Sequence, residues 1–168
     1  ILNWHPQYAE ISASGDYGYT TGPWTYQNSL KDSVIAWGKY STVWRLNTKG
    51  EWKFVVDFGI DNTQPGSNEE RIIDTPKEID NSNRASPISL LVAMDHRFNE
   101  LLEKSKSKAY QTYLSGESIL TRNGYLPATT SEERQVLIDS TPAGIKYKTS
   151  GWGISLGPDM GHSYGTAT

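Results

Sequence analysis

Apolar residues recur at every second position through residues 7–60 and at every third or fourth position beyond residue 86, and a polar stretch separates the two regimes. A period of two is the repeat of a half-buried strand, and a period near 3.6 that of an amphipathic helix. Few folds accept such a division, and it makes the chain α+β before any motif is read. In "QYAEISAS" Ala9, Ile11 and Ala13 oppose Glu10, Ser12 and Ser14, and Gly15-Asp16 then signals a hairpin turn. "YGYTTGPWTYQ" resumes the strand, with a bulge or an edge expected at Gly22-Pro23, because Pro cannot donate to a ladder. The run Ser33–Asn47 carries Val34, Ala36, Gly38, Tyr40, Thr42, Trp44 and Leu46 on one parity and Lys39, Ser41, Arg45 and Asn47 on the other. After the tight turn "NTKG", strict alternation would place Trp52, Phe54, Val56 and Phe58 on one face and Asp57 with Lys53 on the wetter one.

Residues 61–85 change character. They are polar, contain Pro, Gly and Asn, and read as a linker between a sheet portion at 1–60 and a second portion at 86–168. There Ser86-Pro87 resembles an N-cap followed by a first-turn proline, and Leu90, Leu91, Met94, Phe98, Leu101 and Leu102 form one apolar stripe. "AYQTYL" extends or follows this helix, "GESILTRNGYLP" reads as a short strand and loop, and "TSEERQVLIDS" as a capped helix with Glu in its first turn. From Ile145 the chain returns to glycine-punctuated strand sequence.

The stretch "GDYGYTTG" at 15–22 has a counterpart in "PDMGHSYG" at 158–165. Laying Asp16 on Asp159 also aligns Ile11 with Ile154, Ser12 with Ser155, Gly18 with Gly161 and Gly22 with Gly165, an offset of 143. An offset of about one domain length points to a tandem repeat.

Composition narrows function mainly by exclusion. The net charge is −3 without a long basic run, so neither a nucleic-acid nor an anionic-membrane surface is expected. No apolar segment approaches the ~20 residues of a membrane span. There is no cysteine, which removes thiol nucleophiles and Cys-ligated zinc and leaves the redox compartment open. His5, His96 and His162 have no metal-site spacing, and no metal or cofactor is expected. No P-loop or G-x-G-x-x-G is present. Six Trp and ten Tyr beside three Phe favour half-open faces over a sealed core.

Two motif strings carry a family resemblance: "WHPQYAEISASGDYGYTTGPW" and "GKYSTVWRLNTKGEWKFVVDFG". They resemble the second half of a nuclear-transport-factor-2-like domain, the cone-shaped superfamily that includes ketosteroid isomerase and polyketide cyclases. The residues that match are Gly15, Asp16, Gly18, Tyr19, Thr20 and Gly22, then Gly38, Tyr40, Val43, Trp44 and Arg45, then Gly50, Trp52, Lys53 and Asp57. The resemblance implies a curved antiparallel sheet wrapped against a long helix and shorter helices. In such domains the helices come first, so this chain looks like the end of one repeat followed by most of the next, in permuted order. Two ways of covering the sheet are open: residues 86–140 of the same chain, or a second chain.

The resemblance also implies a pocket for a small apolar or aromatic ligand over the concave sheet face, and a homodimer. Its lining would be Tyr19, Trp24, Tyr40 and Trp44, for which core packing is the plainer reading. Asp57 and His96 are the candidate polar anchors or general bases, Asp57 provided that a bulge turns it off the wet face. An isomerase, dehydratase or cyclase would use one of them with a Tyr hydrogen-bond donor. A secreted carbohydrate-binding module is a further reading of the Trp/Tyr surplus, against which the helix at 86–106 argues.

Overall fold

The computed structural model describes residues 1–63, 87–157 and 159–168. Among them the chain is α+β, with three helices and two antiparallel sheets, neither closed into a barrel. It divides into two compact units. The first takes the described residues of Ile1–Asp80, Thr121–Leu126 and Ser155–Met160; the second takes those of Asn81–Leu120, Pro127–Ile154 and Gly161–Thr168. From residue 64 on, the expected linker lies outside the described residues, as does the expected cap at Ser86.

The first unit is built on a five-stranded sheet. Strands β1 (Leu2–Trp4) and β2 (Tyr8–Ile11) both pair with β3 (Tyr17–Tyr26), followed by β4 (Ala36–Leu46) and β5 (Trp52–Asn62). β1 and β2 are two parts of one edge, pairing Trp4 with Trp24 and Tyr8 with Thr21, so the first strand carries one residue more than β3 across the break. That break is what admits Pro23 to an interior strand. The Thr21 carbonyl accepts from Gln7 N–H, so odd positions of β3 turn their backbone groups toward the β1/β2 edge. Pro23, two residues on, therefore turns its missing donor toward the gap between Trp4 and Tyr8. The irregularity expected at Gly22-Pro23 thus falls in the partner strand. Gly22 is needed there, because a Cβ on it would stand 2.0 Å from the His5 carbonyl oxygen. At the other edge Asp61 N–H donates to Asn123 Oδ1 at 3.0 Å and the Asp61 carbonyl accepts from Gly124 N–H at 2.8 Å.

A bulge between β4 and β5 decides the site. Val43 pairs with Val56 but Trp44 with Phe54, which leaves Val55 as the extra residue. The expected single face of Trp52, Phe54, Val56 and Phe58 is corrected accordingly: Trp52 and Phe54 share a face with Leu46 and Trp44, whereas Val56 and Phe58 share the opposite one with Val43 and Ser41.

The second unit contains α1 (Pro87–Lys104), α2 (Lys106–Tyr113), α3 (Ser131–Asp139) and the hairpin of β6 (Tyr147–Ile154) and β7 (Gly161–Ala167). Helix α1 begins at Pro87, as first-turn proline predicts. Ser105 caps α2, accepting from Lys108 N–H. Thr130 caps α3 in a full capping box: its hydroxyl accepts from Glu133 N–H, while the Glu133 carboxylate accepts from Thr130 N–H. The core is Leu101, Leu102, Ala109, Tyr110 and Ile138, ringed by Phe98, Tyr113, Leu114, Leu120, Ile145 and Tyr147. Only the C-terminal half of the predicted α1 stripe is buried; Leu90 and Met94 are exposed. Arg134 is buried beside this core, and one of its nitrogens, Nη1, donates to the carbonyls of Gly116, Ser118 and Thr129.

Candidate functional site

The register of the large sheet sorts its side chains into two faces. Trp4, Trp24, Tyr40, Thr42, Trp44 and Phe54 lie on one, because Trp4 faces Trp24, Gly22 faces Tyr40, Gly18 faces Trp44 and Trp44 faces Phe54. Glycines at 22, 38 and 59 lower the floor of this face. A Cβ on Gly38 would lie 2.2 Å from Trp24 Cε2, and one on Gly59 would lie 3.4 Å from Trp24 Nε1, so the indole rests across both positions. Trp4 meets Tyr40 edge-on with ring centroids 5.3 Å apart, and Trp44 meets Phe54 likewise at 6.3 Å. The Trp44 indole N–H donates to Thr20 Oγ1 at 3.0 Å.

Two polar groups stand among these rings. The Tyr40 hydroxyl is buried and has no hydrogen-bond partner among the described residues, an arrangement that burial ordinarily penalises. Burial pushes its pKa up; the Thr20 hydroxyl nearby works the other way, and the negative charge of Asp57 adds to the rise. Asp57 faces Thr42 and accepts from its hydroxyl at 2.6 Å. Strict alternation would set Asp57 beside Lys53 on the opposite face. The Val55 bulge reverses this, placing Asp57 on the aromatic face diagonal to Tyr40, while Lys53 pairs with Glu51 at 3.3 Å. The carboxylate itself is exposed. The face therefore presents the exposed Asp57 side chain at its surface, with the Tyr40 phenol oxygen buried beside it.

The expected lining divides. Trp24, Tyr40 and Trp44 share the face, but Tyr19 does not: it pairs with Val43 and Glu10 on the other side, with its ring 5.4 Å from Tyr8. An odd position in β3 cannot share a face with an even one, so Tyr19 packs on Tyr8 apart from the other three. Burial first, and then the Tyr8 hydroxyl, raise its pKa strongly. His96 belongs to the second unit, exposed on α1. Its neighbour Asp95 makes the contacts there, accepting from Thr149 Oγ1 at 3.0 Å, Trp152 Nε1 at 2.9 Å and Ser163 Oγ at 3.2 Å, and so tying β6 and β7 to α1.

Trp4, Thr42 and Phe54 are the residues of the face that sequence reasoning missed. Thr42 and Phe54 sit within the β4 and β5 patterns. Trp4 could be found only by pairing β1 across the Pro6 break, which no local period signals. Among the described residues no group of three or more His, Asp or Glu is placed to hold a metal ion, and no helix is long and apolar enough to cross a membrane. Compared with protein-family models, with curated protein sequences and with solved structures, the chain matches none.

Proposed function

We propose that this protein is a small-molecule-binding domain of the nuclear-transport-factor-2-like kind, and that the aromatic face of its five-stranded sheet is the binding surface. The observation that carries the reading is the buried, unpartnered Tyr40 hydroxyl set among Trp4, Trp24 and Trp44. A donor left without a partner is costly to keep, and a ligand acceptor that reaches it as the surrounding rings part recovers that cost. The ligand class is a flat apolar or aromatic molecule bearing a carbonyl or ether oxygen, which stacks on the indoles and accepts from Tyr40. The curved sheet against a long helix, the tandem repeat and the homodimer belong to the same reading.

Titration of such compounds against intrinsic tryptophan fluorescence tests it. A ligand should quench the signal saturably, and Tyr40→Phe should weaken binding by about five-fold, the worth of one neutral hydrogen bond of ~1 kcal/mol. A panel of aromatic carbonyl compounds that leaves the signal unmoved would sink the proposal.

The bulge favours a second reading, proton transfer, since it brings Asp57 to the side of Tyr40. Asp57 would take a proton from a carbon next to a carbonyl while Tyr40 donates to the developing oxyanion. Solvent-deuterium incorporation into a bound enolisable ketone, abolished in Asp57→Asn with binding retained, separates this enzyme from a pure binding domain.

A further inference from the structure

The two aligned loops make the same bonds, and they make them to each other. In the first, Ser12 N–H donates to the Tyr17 carbonyl at 2.7 Å, Ser12 Oγ accepts from Tyr17 N–H at 3.2 Å, and Ser12 Oγ donates to Asp16 Oδ1 at 3.3 Å. In the second, Ser155 N–H donates to the Met160 carbonyl at 2.9 Å, Ser155 Oγ accepts from Met160 N–H at 3.2 Å, and Ser155 Oγ donates to Asp159 Oδ1 at 2.8 Å. Every partner is offset by the same 143 residues that align the sequences.

Both loops belong to the first unit, and their contact is reciprocal. Asp159 Oδ2 accepts from Ala13 N–H at 2.7 Å, and the two oxygens of Asp16 accept from Leu156 N–H at 3.2 Å each. Under the offset Ala13 becomes Leu156 and Asp16 becomes Asp159, so each loop presents its counterpart with one carboxylate and one amide. That is the signature of an isologous contact. Gly157 N–H adds a bond to Ser14 Oγ at 3.0 Å, and Ser14 Oγ donates in turn to Asp16. The approach at Gly157 is close: a Cβ there would stand 3.2 Å from Ser14 Cβ, which a shift of a few tenths of an ångström would accommodate. Ser12, Asp16 and Ser155 are buried.

We propose that Ser-x-x-x-Asp is a homotypic docking motif, each loop being at once ligand and receptor for the other, whose partner is its own second occurrence in this chain. Recognition runs through backbone N–H groups and the aspartates, and Leu156, a residue 79% exposed, takes part through its backbone N–H. This inference stands independently of the ligand-binding reading.

Disulfide trapping tests it directly, because the chain has no other cysteine. Positions 14 and 157 are equivalent under the offset, and a Cβ built at 157 would stand 3.2 Å from Ser14 Cβ, within a few tenths of an ångström of the shortest disulfide separations. Mild oxidation of Ser14→Cys/Gly157→Cys should give a cross-linked product at monomer mass in high yield, whereas Leu30→Cys/Gly157→Cys should give little. Equal yields, or a covalent dimer as the sole product, would overturn the proposal.

Amide hydrogen exchange in the cysteine-free protein is the second arm. Asp159→Asn should accelerate exchange at Ala13 by about ten-fold, and Asp16→Asn should do so at Leu156, as expected for losing a hydrogen bond to a charged group. Leu156→Ala should change neither. If each aspartate affects only the amides of its own loop, the motif is a local turn device and not a docking one.

Discussion

The two units bury different things. The helical unit seals Leu101, Leu102, Ala109, Tyr110 and Ile138 together, an ordinary apolar core assembled from neighbouring helix faces. Among the described residues of the sheet unit Tyr17 is the buried large apolar residue, and the other buried side chains are Ser12, Asp16, Thr21, Thr42 and Ser155, all polar. Those polar groups are bonded sideways: Thr21 Oγ1 donates to the Tyr40 carbonyl at 2.6 Å, Thr42 to Asp57, and the serines to their loop aspartates. On the aromatic face Trp24, Tyr40 and Trp44 are half-buried, and Trp4 and Phe54 are exposed. A helical layer stabilises itself by excluding water, whereas the buried polar side chains of this sheet are held by lateral hydrogen bonds.

Truncation in the helical core should have the largest effect. Leu102→Ala should cost about 3 kcal/mol through lost burial and the cavity left behind, read as a lower midpoint in urea melts followed by far-ultraviolet dichroism. Gly38→Ala attacks the sheet instead. The new methyl would meet the Ile60 carbonyl at 2.1 Å and the Trp24 ring at 2.2 Å, so overpacking should cost about 2 kcal/mol and move Trp24. Tryptophan emission should report it; an unchanged spectrum would mean that the indole does not rest on this position. Thr130→Ala removes the α3 cap and should cost about 1 kcal/mol, while Thr130→Ser should cost almost nothing.

The smallest effects are those of pH, and they take opposite limbs in the two units. Burial raises the phenol pKa of Tyr17, Tyr19 and Tyr40 above the ordinary 10.0. The folded sheet keeps protons that the unfolded chain releases, so this stability is complete below pH 10 and is lost as pH rises beyond it. Lys39, whose pKa burial lowers from 10.5, acts in the other sense just below that value. In the helical unit burial lowers the pKa of His162 from 6.5. There the unfolded chain binds the proton first, so stability is complete above pH 6.5 and declines below it. Tyrosinate absorbance on the alkaline limb and the His162 ring resonances on the acid limb check the two signs.

Much of the architecture was legible because its signals are local. The alternation of 33–47, realised as a strand over Ala36–Leu46, the "NTKG" turn, Pro87 at the start of α1 and the capping box of α3 each arise from neighbours in sequence. The site was legible only in part. Trp24, Tyr40 and Trp44 share a face because parity holds along β3 and β4, whereas Tyr19 fell on the wrong parity and Trp4 was hidden beyond Pro6.

The sequence by itself determined the two periodicities, and with them the α+β class, together with the recurrence of Ser-x-x-x-Asp at an offset of 143. Tertiary structure alone decided where alternation breaks. One extra residue at Val55 is invisible to local propensity, yet because a strand's side chains alternate strictly, it carries Asp57 from one face of the sheet to the other. Tertiary structure alone also decided that the two loops meet, since a bond between residues 140 or 146 positions apart depends on how the chain closes and on nothing within either loop.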